Sequence, residues 1–312
     1  MNTPLNRSGF FWGVCGHPRS WKAYPEGQLD NQLKLVQELG VDYYRMDMPA
    51  GNEDDLIYCD KVVSTAKKYN VKIFAIYYGA NIIEKAGSEG IQANAEYFAR
   101  RYKDDIFMYQ IDNEIDCPTI NKNNPLGMEI SDYDLDKLDT YYEKLKHIII
   151  GIRRGNPEAK ISINGTWWHT GFIEYFLSKG LDFDIIGWDW YSSMCDKSSI
   201  NDILDKLCTF GKDIIIAESN ISTVTHTEAA RGAYIAGLMR KVYEYPSDKI
   251  KGMIIYELLD ETNPANPQEH EKYFGIVRCD ENGNIGEPKP AFYDIQKRLK
   301  NIHKLDLTSS TD

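Results

Sequence analysis

Residues 213–218 read DIIIAE, a run of four apolar residues that ends on the carboxylate of Glu218. Because consecutive positions are apolar, instead of every second one, the run predicts a β-strand buried on both faces, as in a parallel sheet. Seven more segments have this character, and most turn polar or aromatic at the carboxyl end. The eight predicted strands are residues 10–16, 42–48, 71–78, 106–113, 160–165, 184–191, 213–218 and 252–257.

Amphipathic helical patterns separate these strands. They cover residues 28–39, 54–69, 89–103, 133–154, 170–180, 198–210 and 227–245, and a last helix is predicted at 290–302. This alternation predicts an α/β protein, a single (β/α)8 TIM barrel with a parallel eight-stranded core. We expect the domain to span residues 1–304 and a disordered tail to follow at 305–312. The long loops 117–132 and 258–288 follow strands, so both are expected on the carboxyl-terminal face, where barrel enzymes keep their active sites.

Charge and composition exclude several classes of partner. The chain of 312 residues has a net charge of −11, which argues against nucleic acid and against an anionic membrane surface. No apolar run reaches the length of about 18 residues that a membrane helix needs, and the first residues, MNTPLNRSGFFWG, lack the apolar core of a signal peptide. The expected location is cytoplasmic for the sequence as given, or periplasmic or secreted if a signal peptide has been removed. Six scattered cysteines without a CxxC pair predict free thiols.

Two glutamates stand out among the polar strand ends. Glu114 ends the fourth strand and Glu218 the seventh, and these strands lie on opposite sides of an eight-stranded ring. Two carboxyl groups about 5 Å apart across a sugar can cleave a glycosidic bond by double displacement, if their pKa values differ. We expect Arg45, on the second strand, to hold Glu218 ionised. A less polar setting, against Trp167 or Trp168, would raise the pKa of Glu114.

Five features follow one another along the chain in a set order. They are Arg45 in YYRMD, Asn113-Glu114 after strand four, the strand-six end IIGWDWY, Glu218 after strand seven, and the closing stretch YFGIVRCDENGNIGEPKPAFYDIQ at residues 273–296. This ordered set resembles clan A of the glycoside hydrolases, and within it the family 39-like and family 5-like groups. The resemblance runs from Gly13 to about Leu299. It implies a (β/α)8 barrel and a retaining β-glycosidase that acts on an oligosaccharide or polysaccharide without cofactor or metal.

The resemblance also implies a role for each matching residue. Glu114 resembles the acid/base and Glu218 the nucleophile of the clan. Asn113 would bond the sugar 2-hydroxyl, a contact that strengthens in the transition state. Arg45 and Tyr191 would orient the nucleophile and tune its charge.

Two positions depart from the clan's pattern. Asp189 stands where many relatives have a histidine two residues before the strand-six tyrosine, and it is counted among the expected substrate-binding residues. Strand eight ends in Tyr256 and Glu257, where the clan usually has a tryptophan that floors the first sugar site. Tyr256 could stack on the sugar with a smaller ring, and Glu257 could accept sugar hydroxyls or favour an amino sugar. These changes affect the identity of the substrate more than the mechanism.

Three more strand ends supply candidates for sugar binding. His17, after strand one, matches the position of a polar sugar contact. Two adjacent tryptophans cannot both point inward from an extended segment, so one of Trp167 and Trp168 is expected to face the cleft, with Trp168 as the candidate. The same reasoning selects Tyr78 at the end of strand three.

Two other functions compete with hydrolysis. A non-catalytic carbohydrate-binding barrel would share the fold, but both catalytic carboxylates are present. A metal-dependent barrel isomerase or lyase would need a ligand cluster, for which the alternating Asp112, Glu114 and Asp116 are the one candidate. Such enzymes usually carry histidine clusters or lysines at the strand ends, and none is present here. The paired glutamates therefore favour hydrolysis.

Overall fold

The structure is a computed structural model that describes residue 7 and residues 9–78, 80–123, 125–194, 199–221, 227–262 and 271–309. Eight parallel strands pair in sequence order and the first pairs with the eighth, so the sheet closes into a barrel. The strands are β1 Phe11–Gly16, β2 Tyr43–Pro49, β3 Lys72–Tyr78, β4 Met108–Ile111, β5 Lys160–Thr166, β6 Ile185–Asp189, β7 Asp213–Glu218 and β8 Ile250–Ile255. The predicted (β/α)8 fold is confirmed.

Helices follow the strands and surround the barrel. They are α1 Leu29–Leu39, α2 Glu53–Lys68, α3 Ala80–Arg101, α4 Asp116–Thr119, α5 Leu135–Gly155, α6 Gly171–Ser178, α7 Ile200–Cys208, α8 Glu228–Glu244 and α9 Pro290–Ser309. Three short 3-10 helices cover Glu26–Gln28, Ile130–Asp132 and Ser192–Met194, and a hairpin of β9 Val277–Cys279 and β10 Ile285–Pro288 lies in the loop after β8. Helix α9 extends into the segment 305–312, which the sequence assigned to a disordered tail; residues 310–312 lie outside the described residues.

The barrel has two apolar regions. Six buried side chains from six different strands fill its interior, and they are Cys15, Phe74, Met108, Ile185, Ile215 and Ile254. A larger cluster packs the outer faces of the strands against the helices. Because these side chains fill the interior, the barrel is a packed core and not a pore.

Close packing between α3 and α5 depends on two glycines. A Cβ at Gly151 would lie 2.4 Å from the carbonyl oxygen of Gln92, and one at Gly155 would lie 2.3 Å from that of Glu96. Any larger residue at either position would therefore push the two helices apart.

Two further expectations concern the thiols and the membrane. Among the described residues five cysteines are free thiols, namely Cys15, Cys59, Cys117, Cys208 and Cys279; Cys195 lies outside them. No helix within the described part of the chain is both long and apolar enough to span a bilayer.

Candidate active site

A cavity of about 610 Å³ opens at the carboxyl ends of the strands. Its lining comes from the ends of several strands and from the loop after β8. Of the predicted site residues, His17, Arg45, Tyr78, Asn113, Glu114, Tyr191, Glu218 and Tyr256 line it. The cavity thus gathers residues that lie as much as 259 positions apart in the sequence, from Cys15 to Phe274.

Arg45 is the hub of the cavity floor, and its guanidinium group is fully buried. Nη1 donates to Oε1 of Glu218 at 2.8 Å. Nε and Nη2 both donate to Oε1 of Gln110, at 3.0 and 2.8 Å, and Nη2 also donates to Oδ1 of Asn113 at 2.9 Å. One side chain therefore fixes Glu218 and Asn113 relative to each other. Sequence reasoning missed Gln110, although a lone polar residue inside the apolar run IFMYQIDN was the available signal.

Glu218 is held at both carboxylate oxygens. Oε1 accepts from Arg45, and Oε2 accepts from the hydroxyl of Tyr191 at 2.6 Å. Burial, and next the negative charge of Glu218, raise the pKa of Tyr191 well above its usual range, so this hydroxyl keeps its proton and donates. A carboxylate restrained in this way presents a fixed face to the cavity.

Glu114 lies in a different environment. Burial and then the charges of Glu218 and Asp116 raise its pKa to about 8. Its backbone is left-handed, with φ 44°, as is that of Asp112, with φ 64°. Such angles cost a residue other than glycine about 1–3 kcal/mol and persist only where surrounding contacts enforce them. Here the backbone N–H of Glu114 donates to Oδ1 of Asn164 at 2.7 Å.

Asp189 lies beneath the cavity and is fully buried. Its Oδ1 accepts from Nδ2 of Asn164 at 3.0 Å. Burial, followed by the charges of Glu218 and Glu114, raises the pKa of Asp189 well above its usual range. Asp189 does not line the cavity, so the expectation that it contacts substrate is corrected. Its link to the site is Asn164, which donates to Asp189 and accepts from the backbone N–H of Glu114.

Glu114 and Glu218 thus line one cavity in unlike environments. Solved structures share the fold of this chain. No protein-family model matches the sequence, and no curated protein matches it. The β-glucosidase of Thermotoga maritima in complex with glucoimidazole superposes with a TM-score of 0.72 and 13% identity, over 94% of this chain and 98% of that chain. The family 1 β-glucosidase of the same organism gives 0.72 and 14%, over 94% and 98%. The complex of the T. maritima enzyme with methyl acetic acid-substituted glucoimidazole gives 0.74 and 14%, over 96% and 99%. At these identities the similarity establishes the fold.

His17 faces the cavity with two acids around it. Its Nε2 lies 3.2 Å from Oε2 of Glu257, and its Nδ1 lies 3.6 Å from Oδ2 of Asp47. Burial lowers the pKa of His17, but Glu257 and Asp47 outweigh it and raise the value to about 10. The imidazole also stacks on Trp21, with ring centroids 3.9 Å apart. His17 is therefore a cation at neutral pH.

Glu257 does not face the cavity. Its side chain is 1% exposed, and its Oε2 also accepts from the hydroxyl of Tyr24 at 2.6 Å. The expectation that Glu257 contacts sugar hydroxyls is corrected, because it lies behind His17 and holds that ring. Asp47, on β2, is the second acid beside His17.

Aromatic rings form part of the cavity wall. Tyr256 meets Tyr191 and Phe274 edge to face, with centroids 6.1 and 6.0 Å apart. Trp168 does not line the cavity and packs against the apolar core instead. The chain has left the extended conformation at Trp167, where φ is 52°, so the assumption behind that prediction fails. Phe274 was missed, although it lies in the Phe-Gly pair of the closing stretch.

The possible metal ligands are arranged differently from the expected set. Among the described residues one cluster has metal-ligand geometry, and it is Asp116, Cys117 and His169, with atoms within 4.8 Å of one another. The imidazole of His169 is already bonded, to Asp116 at 2.6 Å and to the carbonyl of Pro125 at 3.2 Å. None of the three lines the cavity.

Proposed function

We propose that the protein is a retaining glycoside hydrolase of clan A that cleaves a β-glycosidic bond in an oligosaccharide or polysaccharide. The observation that carries the proposal is the contrast between two carboxyl groups that line one cavity. Glu218 is paired with Arg45 and Tyr191, while Glu114 has a pKa of about 8. A nucleophile and an acid that act in one site require environments that differ in this way.

In the first step of the proposed reaction, a carboxylate oxygen of Glu218 attacks the anomeric carbon. Glu114 gives its proton to the glycosidic oxygen, the bond from that oxygen to the anomeric carbon breaks, and the aglycone leaves as an alcohol. In the second step, Glu114 accepts a proton from water, whose oxygen attacks the anomeric carbon and releases Glu218. Two inversions give net retention.

The surrounding residues have positioning roles in this scheme. Oδ1 of Asn113 already accepts from Arg45 and from Gln110, each at 2.9 Å, so its amide nitrogen is the atom that donates to a sugar hydroxyl. His17 contributes a positive charge to the cavity lining, while its two ring nitrogens face Asp47 and Glu257. Tyr256, Tyr78 and Trp21 provide ring surfaces for the apolar faces of a sugar.

The structural neighbours support the proposal without deciding the substrate. The superposed proteins are β-glucosidases, one of them bound to glucoimidazole. A relation within the clan to the family 39-like and family 5-like groups stays a prediction from the sequence.

Two measurements test the proposal on the intact protein. Proton NMR during hydrolysis of an aryl β-glycoside, drawn from a panel of sugars, should show the β-anomer of the released sugar first. A matching 2-deoxy-2-fluoro glycoside should inactivate the enzyme and label the peptide that contains Glu218, as mass spectrometry can show. The exposed Glu287 supplies the control, since Glu287→Gln should be labelled as the wild type is.

The proposal fails if the α-anomer appears first, or if the label lies on another residue. Sugar binding by thermal shift without any released product would instead support a carbohydrate-binding barrel.

A further inference from the structure

The mouth of the barrel contains a hydrogen-bonded chain that ends on Glu114. Asp189, at the end of β6, accepts from the amide of Asn164 on β5, and the carbonyl of that amide accepts from the backbone N–H of Glu114. The two contacts measure 3.0 and 2.7 Å. Asp189 and Asn164 are both fully buried, and neither lines the cavity.

We propose that Asp189 and Asn164 are positioning residues that hold Glu114 in its left-handed backbone conformation and thereby aim its carboxyl at the leaving-group oxygen. The catalytic part of this inference rests on the proposed function. The geometric part does not, because φ of Glu114 is 44° whatever the reaction. Glutamate rarely adopts such an angle, because it costs about 1–3 kcal/mol that surrounding contacts must offset. The hydrogen bond that the backbone N–H of Glu114 donates to Oδ1 of Asn164 is a contact of that kind, and Asp189 fixes the amide of Asn164 in the orientation that accepts it.

The charged groups around Asp189 indicate whether its carboxyl group is ionised or neutral. The groups that face it are Glu218, Glu114, Arg45, Tyr191, Cys15 and Cys117. Arg45 is the one cation among them, and it already pairs with Glu218. Oδ2 of Asp189 is buried and has no hydrogen-bond partner within the described ranges. A carboxylate there would be uncompensated, so Asp189 acts as a neutral acid whose carbonyl oxygen accepts from Asn164.

The hydrogen-bonded chain from Asp189 through Asn164 to Glu114 predicts different effects for different substitutions. Asp189→Asn preserves a neutral side chain with a carbonyl acceptor, so it should retain activity within about threefold. Asp189→Leu and Asn164→Ala remove the anchor of Glu114. General acid catalysis contributes about 10²–10⁴-fold, and a misplacement of about 1 Å can remove about 10²-fold. We therefore expect kcat for an alkyl or phenyl glycoside to fall about 10- to 100-fold in both variants, with KM little changed.

Leaving-group dependence separates positioning from a general loss of structure. A dinitrophenyl glycoside needs no protonation, so the rate of its glycosylation step should fall less than threefold in Asp189→Leu and Asn164→Ala. The matched control is Ser162→Ala, which removes another buried polar group from β5 without touching Glu114, and it should leave both substrates unaffected. Crystal structures of Asn164→Ala and wild type give a readout independent of activity, in which φ of Glu114 should move to a negative value.

Three results would overturn the inference. One is an equal loss on the phenyl and dinitrophenyl substrates, and another is a loss in Asp189→Asn as large as in Asp189→Leu. The third is an unchanged left-handed Glu114 in the Asn164→Ala crystal. An inactive wild type would instead refute the proposed function, and the crystal comparison would still decide whether the chain holds Glu114. If Asn164→Ala does not fold, the two Asp189 variants retain both kinetic tests.

Discussion

Replacing the proposed acid/base should stabilise the protein, and the gain should depend on pH. Glu114 has a pKa of about 8 in the folded protein, against an ordinary value of 4.5. Burial is the main cause, and the charge of Glu218 is the next. The folded state therefore binds the proton of Glu114 more tightly than the unfolded state does. Stability consequently falls as the pH rises from about 4.5 to about 8, where the unfolded chain has already released this proton.

The size of the effect follows from the interval between the two pKa values. A pH of 7 lies 2.5 units above the ordinary pKa of the carboxyl, 4.5, and each unit corresponds to about 1.36 kcal/mol. The raised pKa of Glu114 therefore lowers the free energy of unfolding at pH 7 by at most about 3 kcal/mol. At pH 6 the same reasoning gives about 2 kcal/mol. Glu114→Gln removes the titrating group and keeps the shape of the side chain. It should therefore raise the free energy of unfolding by these amounts.

Urea denaturation of Glu114→Gln and of wild type at pH 6 and pH 7 measures the difference. Glu287→Gln, at an exposed site, is the control and should change stability by less than about 0.5 kcal/mol. A gain equal at the two pH values, or a loss at both, would refute the reasoning, because only a raised pKa makes the gain grow with pH.

Three further outcomes are expected. The alkaline limb of the pH profile of kcat/KM should lie near pH 8, where Glu114 loses its proton; a limb near pH 5 would contradict its assignment as the acid. Glu114→Ala should lose activity on poor leaving groups and regain it with azide on activated ones, so an unchanged rate without azide would exclude the role. Arg45→Met should lower the free energy of unfolding by about 3–5 kcal/mol and abolish activity, because Glu218 stays buried without its cation; denaturation at pH 7 checks the loss, and unchanged stability would count against the ion pair.

Sequence reasoning placed the strands well because their signal is local. Each run of apolar residues reports its own burial, and the structural strands begin and end within a few residues of the predicted ones. The polar strand ends were also local signals. Since all eight carboxyl ends of a closed parallel barrel lie on one face, Glu114 and Glu218 had to meet once the fold was known.

The misplaced residues depended on contacts that no local pattern contains. Glu257 points away from the cavity because Tyr24, 233 positions earlier, donates to it. Trp168 turned towards the core because the backbone at Trp167 is left-handed. Asn164 lies within the predicted strand 160–165, but its two hydrogen bonds join Asp189 on β6 to the backbone N–H of Glu114 in the loop after β4, and no local pattern contains such a link.

The distribution of charge around Arg45 fits the proposed roles, in which Glu114 is the acid and Glu218 the nucleophile. The guanidinium donates to Glu218, Gln110 and Asn113. No donation from it to Glu114 or Asp189 occurs in the described part of the chain, and the pKa of each of these two is raised, first by burial and next by the charge of Glu218. Arg45 thus pairs with Glu218, while the raised pKa values of Glu114 and Asp189 favour their protonated forms. Asp189 is buried beneath the cavity, whereas Glu114 lines it. Of these two acids, Glu114 is therefore the one from which a substrate in the cavity can take a proton, as the proposed mechanism requires.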